Sequence, residues 1–221
     1  HIPSPDNQLL AVSCMPPELT DGTYESHIYV LPMTGGEPKD LTGPGLSYLH
    51  GWSPDGKELA YCAFRKKPEE ETMRIEICTI PSDGGEETCL TDGKGYNDGP
   101  EYSPDGKHIW FNSTRSGLMQ VWRMNRDGSG LTQMTDFDAN NWFGHVSPDG
   151  KHVIYLTFAK GELEPNEHLP NMHVSLGMMD YDGQNKKKVL DLFGGQGSIN
   201  VNSWAPDSRR IAYVKYVLHH K

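Results

Sequence analysis

Short runs dominated by apolar and aromatic side chains recur at residues 9–14, 58–64, 108–113, 152–157 and 210–216. They are too brief for helices and predict strands. A second set at residues 28–33, 75–80, 121–124 and 176–179 closes on Gly35-Gly36, Asp83-Gly84-Gly85, Asp127-Gly128 and Asp182-Gly183. Such dipeptides supply the positive φ angles of tight hairpins, so each run predicts a strand and a return. The returning outer strands end near Leu41-Thr42, Leu90-Thr91, Met134-Thr135 and Val189-Leu190.

One phrase sets the period of this pattern. It occurs as Ser4-Pro-Asp-Asn7, Ser53-Pro-Asp-Gly56, Ser103-Pro-Asp-Gly106, Ser147-Pro-Asp-Gly150 and Ala205-Pro-Asp-Ser208, with starts 49, 50, 44 and 58 residues apart. A repeat of about 40–50 residues, each holding four short strands, is a propeller blade. The expected fold is an all-β propeller in one domain over residues 1–221, with repeats at about 1–45, 46–95, 96–139 and 140–196 and a partial repeat at 197–217. Each unit runs an inner strand into the turn and then three antiparallel strands outward. Residues 158–174 form an insertion expected at a ring face. The Pro presets φ, the Asp accepts local N–H bonds and the Gly takes the left-handed conformation, so the repeated Asp residues are turn formers. Trp52, Tyr102, Val146 and Trp204, just before the turns, are expected to pack between neighbouring blades.

Composition narrows the function classes. The chain has 30 Asp and Glu against 20 Lys and Arg, a formal charge of -10, which opposes nucleic acid and anionic membrane as partners. No apolar run reaches the roughly 18 residues of a membrane span, so no membrane insertion is expected. A leader removed ahead of His1 would leave no trace, so composition leaves the cytoplasm open. The four cysteines form no Cys-x-x-Cys pair, which sets aside a zinc ribbon. Cys78 and Cys89 flank a turn and are expected as buried free thiols, with a hairpin disulfide as the alternative.

The Ser-Pro-Asp-Gly-Lys phrase before an Ile-Ala-Tyr type strand, with an Ile-Tyr-x-x-Pro/Asp-Gly-Gly hairpin, resembles the WD-like repeats of TolB-type six-bladed β-propellers. The resemblance covers essentially the whole chain. The stretches Tyr48-Leu-His-Gly-Trp-Ser53, Asn97-Asp-Gly-Pro-Glu-Tyr102, Ser116-Gly-Leu-Met-Gln-Val-Trp122, Asn140-Asn-Trp-Phe-Gly-His145 and Phe193-Gly-Gly-Gln-Gly-Ser-Ile-Asn200 are similar to a bacterial TolB-like family of unassigned activity. Members carry another blade before the position of His1, which implies a chain short of a six-blade ring. Similar repeats dock proteins in the Tol-Pal envelope system, gate prolyl oligopeptidases and form the body of oligogalacturonate lyases. A periplasmic or secreted location is what this family resemblance of the repeats implies. The chain has no Gly-x-Ser-x-Gly elbow, which sets aside a serine peptidase.

Inner strands of a propeller converge on one axial funnel, so residues just before each turn are the candidate site. These are His1; His50; Asn97, Asp98 and Glu101; Asn140, Asn141, Trp142 and His145; and Gln196, Asn200 and Asn202. The set is polar where a packed strand would place Val or Leu. Its amides and carboxylates beside Trp142 suit an oligosaccharide, whose hydroxyls need donors and acceptors and whose apolar face stacks on a ring. Alternatively His1, His50 and His145, with Asp98, Glu101 or Gln196, hold a divalent ion (Mn, Zn or Ca) that binds a small carboxylate. The resemblance to oligogalacturonate lyases carries His145 into that role and implies a metal-dependent lyase, with His50 or Arg115 as the base. A protein-docking scaffold of the cell envelope is the remaining alternative. A structural explanation stands beside these, since polar channel residues also bind backbone groups and water.

Other features read as structural. His168 and His173 share the insertion and are expected to be solvated. Gly194-Gly-Gln-Gly197 lacks the Lys-Ser/Thr of a phosphate loop and is expected as a turn before an inner strand starting near Ile199. Asn112-Ser-Thr114 is a chance glycosylation match at a strand end, Lys186 to Lys188 a solvated run, and His219-His220-Lys221 a frayed tail.

Overall fold

A computed structural model of the chain describes residues 1–16, 25–66 and 71–217. Sixteen strands form four antiparallel four-stranded sheets, each in sequence order from inside outward. The first holds β1 (Ile2–Pro3), β2 (Leu9–Cys14), β3 (His27–Pro32) and β4 (Lys39–Asp40). The second holds β5 (Leu46–Trp52), β6 (Glu58–Arg65), β7 (Arg74–Pro81) and β8 (Thr88–Cys89). The third holds β9 (Asn97–Tyr102), β10 (His108–Ser116), β11 (Leu118–Asn125) and β12 (Thr132–Gln133). The fourth holds β13 (Ala139–Val146), β14 (His152–Ala159), β15 (Pro170–Asp180) and β16 (Lys187–Gly195). The chain is all-β and its sheets are arranged as blades; among the described residues no helix is long and apolar enough to cross a membrane.

The core lies between blades, which explains why second strands read as continuous apolar runs. Both faces of such a strand are covered, so Leu59, Ala60, Tyr61, Cys62 and Ala63 are all buried. Ala11, Ile28 and Val30 of the first sheet pack on Leu59, Tyr61 and Cys78 of the second, and Ala60, Cys62 and Ile77 pack on Ile109, Phe111 and Met124 of the third. Trp110 and Val121 of the third pack on Val153, Tyr155 and Met179 of the fourth.

The turns work as their chemistry predicts. Ser53 Oγ donates to Asp55 Oδ1 at 2.6 Å and accepts from Glu58 N, while Asp55 Oδ1 accepts from Lys57 N and Gly56 sits at φ 70°. Ser4, Ser103 and Ser147 repeat the Ser–Asp bond. The residues before the turns tie blades together. Trp52 Nε1 donates to Ile2 O at 2.9 Å, Trp204 Nε1 to His145 O at 3.1 Å and Tyr102 Oη to Glu58, and Val146 packs against Trp110.

Four expectations change. Residues 210–216 do not form a strand: Ile211 makes a single bridge to Trp204, and Val214 N and Tyr216 N then donate to Ser198 O and Phe193 O. No inner strand starts at Ile199 either. The segment folds on itself, with Asn200 Oδ1 accepting from Gly197 N at 2.7 Å and Asn202 Oδ1 from Trp204 N at 3.2 Å, so it offers little straight backbone to pair. The insertion is shorter than expected, because β14 and β15 pair out to Phe158 and Val174 and leave residues 160–169 as the loop. Cys78 and Cys89 are joined rather than free, since the β7–β8 register places them directly opposite. The tail at 219–221 lies outside the described residues.

Candidate functional site

The same irregularity interrupts three inner strands just before their turns. Leu49 pairs with Tyr61 and Gly51 with Ala60, which leaves His50 as an extra residue. In β9, Gly99 and Pro100 together face Phe111, and in β13, Phe143 and Gly144 face Tyr155. These are β-bulges, which bend a strand and re-aim its side chains. Gly99 (φ 64°) and Phe143 (φ 56°) take the left-handed conformation. For Phe143 this is an uncommon backbone state, held by its N–H donating to buried Asn112 Oδ1 at 2.9 Å.

The bulges gather two clusters, and β9 contributes to both. In the first, Asp98 Oδ1 lies 3.3 Å from His50 Nε2 and accepts from Cys62 Sγ at 3.1 Å and from Gly99 N at 2.8 Å. Asp98 Oδ2 lies 3.8 Å from Nε2 of His168, which comes from the 160–169 loop. Burial would raise the Asp98 pKa, yet the His168 and His50 rings outweigh it and hold the carboxyl well below its usual range. Burial and then Asp98 push the Cys62 thiol up. His168 packs edge-on against Trp142 and Phe143, with ring centres 4.4 and 5.2 Å away. The His50, His168 and Asp98 side chains keep 18%, 18% and 16% exposure, so solvent reaches the cluster. Nevertheless His50 Nε2 and His168 Nδ1 are themselves buried atoms; His50 Nε2 faces Asp98 Oδ1, and His168 Nδ1 has no hydrogen-bond partner.

The second cluster is internally satisfied. His145 Nδ1 meets Glu101 Oε2 at 2.6 Å and its Nε2 meets Ile199 O at 2.5 Å, while Asn202 Nδ2 donates to Glu101 Oε1 and Val146 O. A carbonyl only accepts, and a carboxylate accepts as well, so the two contacts favour the protonated ring, in which both nitrogens donate. Burial opposes that charge, but Glu101 and the Ile199 carbonyl raise the His145 pKa.

The structure therefore divides the expected set. It brings His50 to Asp98, and Glu101 to His145 and Asn202. It does not bring His1, His50 and His145 to a common ion: His1 is exposed at the chain start and both His145 nitrogens are engaged. Trp142 is 0% exposed and has no open face for a sugar. Asn97 and Asn141 are buried struts, receiving the hydroxyls of Ser113 and Thr157 and donating to Ile75 O and Gln120 Oε1. Asn140 accepts from Met119 N. Asn200 closes its own turn, and Gln196 is exposed. Arg115 stacks near Phe111 and Trp122 and bonds Asp92 and Ser113, so it is not a base facing the funnel. Asn112 is fully buried and is no glycosylation acceptor.

Three participants escape sequence reasoning. Cys62 sits in the apolar run 58–64, His168 reads as a solvated loop residue, and Tyr48 is named only within a stretch that carries the family resemblance. Tyr48 is 58% exposed with its ring 5.4 Å from that of His50, so it offers the open aromatic face that Trp142 lacks. A cleft of about 450 Å³ is lined by Met73, Arg74, Ile75, Gly95 and Tyr96, and Tyr96 in turn packs edge-on to Trp142.

Comparison with known proteins agrees with this architecture. Residues 24–169 match the TolB beta propeller domain family. An uncharacterized protein of Agrobacterium fabrum is 43% identical over 98% of this chain and 69% of its own length. A solved TolB-like structure from Agrobacterium tumefaciens superposes with a TM-score of 0.84 at 42% identity, covering 98% of this chain and 73% of that one. An oligogalacturonate lyase in complex with manganese has a TM-score of 0.57 at 14% identity over 86% of this chain and 52% of its own, a likeness of fold alone.

Proposed function

The chain belongs to the TolB beta propeller family, and on that premise we propose that it binds an oligosaccharide at the mouth of its funnel. The carrying observation is the Asp98 carboxylate held between two partly exposed imidazoles, with His50 Nε2 at 3.3 Å and His168 Nε2 at 3.8 Å. The three side chains keep 16–18% exposure, and polar groups that solvent reaches can exchange it for the hydroxyls of a ligand. A sugar hydroxyl both donates and accepts, so it bonds a carboxylate and an imidazole together. Tyr48, with its exposed ring 5.4 Å from that of His50, supplies the stacking face. The location that fits is the periplasm or the exterior, because a Cys78–Cys89 disulfide persists in an oxidising compartment.

Calorimetric titration with neutral and uronic oligosaccharides tests the reading. Binding that weakens about tenfold or more on Tyr48→Ala or His168→Ala supports it, each lost contact being worth roughly 1–2 kcal/mol. Absence of binding across both classes, or affinity unchanged in both variants, refutes it.

A further inference from the structure

We infer that His50, Cys62 and Asp98 form a binding site for a divalent transition ion of the zinc type. This rests on the funnel being a binding site, but it names a different occupant and is tested with the ion alone. The His50, Cys62 and Asp98 ligand atoms all lie within 4.8 Å of one another, with Asp98 Oδ1 3.3 Å from His50 Nε2 and 3.1 Å from Cys62 Sγ. A tetrahedral ion with bonds of about 2.0–2.3 Å needs ligand atoms roughly 3.3–3.7 Å apart. Small side-chain adjustments close the difference.

The donor set selects the metal. A thiolate and an imidazole favour zinc and its neighbours over magnesium, calcium or manganese, which prefer all-oxygen shells. The ion would sit between two blades, with His50 on a bulge of β5, Cys62 on β6 and Asp98 on β9. Asp98 is oriented by the Gly99 amide at 2.8 Å, as outer-shell bonds orient ligands in metal sites. His50 Nε2 is buried and faces Asp98 Oδ1, the carboxylate oxygen that also meets Cys62 Sγ. His168 Nε2 lies 3.8 Å from Asp98 Oδ2 but is not among the clustered ligand atoms, so the fourth position goes to water or ligand. Charge balances simply: the ion replaces the Cys62 S–H proton, which leaves to solvent, and no electron is transferred. Cys78, Glu87 and Cys89 are similarly close, but their sulfurs are bonded to each other and supply no thiolates.

The test is titration of chelator-treated, disulfide-intact protein with Zn²⁺ and then Co²⁺, without saccharide. The expected result is one equivalent bound at about micromolar affinity or tighter, about one proton released per ion, and a cobalt–thiolate charge-transfer band. Cys62→Ser should abolish the band, and His50→Ala, whose side chain is partly exposed, should weaken binding about tenfold or more while keeping the melting temperature measured in chelator. His173→Ala serves as a control and should change nothing. No stoichiometric ion, or a bound cobalt lacking the band in wild type, overturns the site. Saccharide binding that survives in chelator then leaves the funnel reading standing, and saccharide failure with metal bound refutes that reading alone.

Discussion

Glu101 of β9 and His145 of β13 meet at 2.6 Å across two blades, and the far side of the His145 ring holds the Ile199 carbonyl. An imidazolium thus fastens the partial fifth repeat to the third and fourth blades. The residue that best resembled a metal ligand is a structural clasp.

That clasp predicts a pH dependence. The folded His145 pKa is raised, so its stabilisation is full below its unfolded value near 6.5 and is lost as pH rises through the folded value. Thermal melts across that range should show this loss in wild type and a flatter profile in Glu101→Gln, which should also cost roughly 1–3 kcal/mol at low pH. Identical profiles would show that His145 is not clasped by Glu101.

Two aromatic residues near the funnel should behave oppositely. Trp142 is fully buried between Tyr96, Phe143 and His168, so Trp142→Ala should destabilise the fold by about 3–5 kcal/mol. Tyr48 is open to solvent, so Tyr48→Ala should leave stability within about 0.5 kcal/mol while reducing saccharide affinity. Denaturant melts with parallel calorimetry separate the two.

The bulge in β9 should resist any side chain. Gly99 sits at φ 64°, and an added Cβ would lie 2.5 Å from Asn112 Nδ2, whose Oδ1 holds Phe143 N. Gly99→Ala should therefore cost about 1–3 kcal/mol and weaken binding at Asp98, measured by melting and titration.

Thiol labelling should follow the disulfide. Cys14 is exposed and Cys62 buried, with Cys78 and Cys89 joined. Native oxidised protein should label at Cys14 alone, unfolded protein at Cys62 as well, and all four cysteines should label only after reduction.

Much of the fold was legible because turn chemistry is local. Each Ser-Pro-Asp phrase carries its own hydrogen bonds, and the hairpin glycines carry their own φ angles, so four blades could be counted without coordinates. The fifth repeat was not, because Asn200 and Asn202 spend their side chains folding the segment on itself. In the site, His50 and Asp98 could be placed in one funnel set from their positions before successive turns, but their direct pairing could not. Cys62 and His168 did not, since one lies in an ordinary apolar strand and the other reaches in from a loop that carries no repeat signal. Asn97 and Asn141 were misleading for a related reason: a buried strut and a ligand-binding amide look alike until their partners are seen.

The account rests on the convergence of His50, Asp98 and His168 into one partly exposed, hydrogen-bonding cluster. A crystal structure of the protein soaked with an oligosaccharide tests this directly. Density for a sugar within hydrogen-bonding distance of Asp98 and either imidazole, with a ring face against Tyr48, is the predicted result. A sugar seated elsewhere, or no sugar in a pocket whose three side chains diverge, would contradict it.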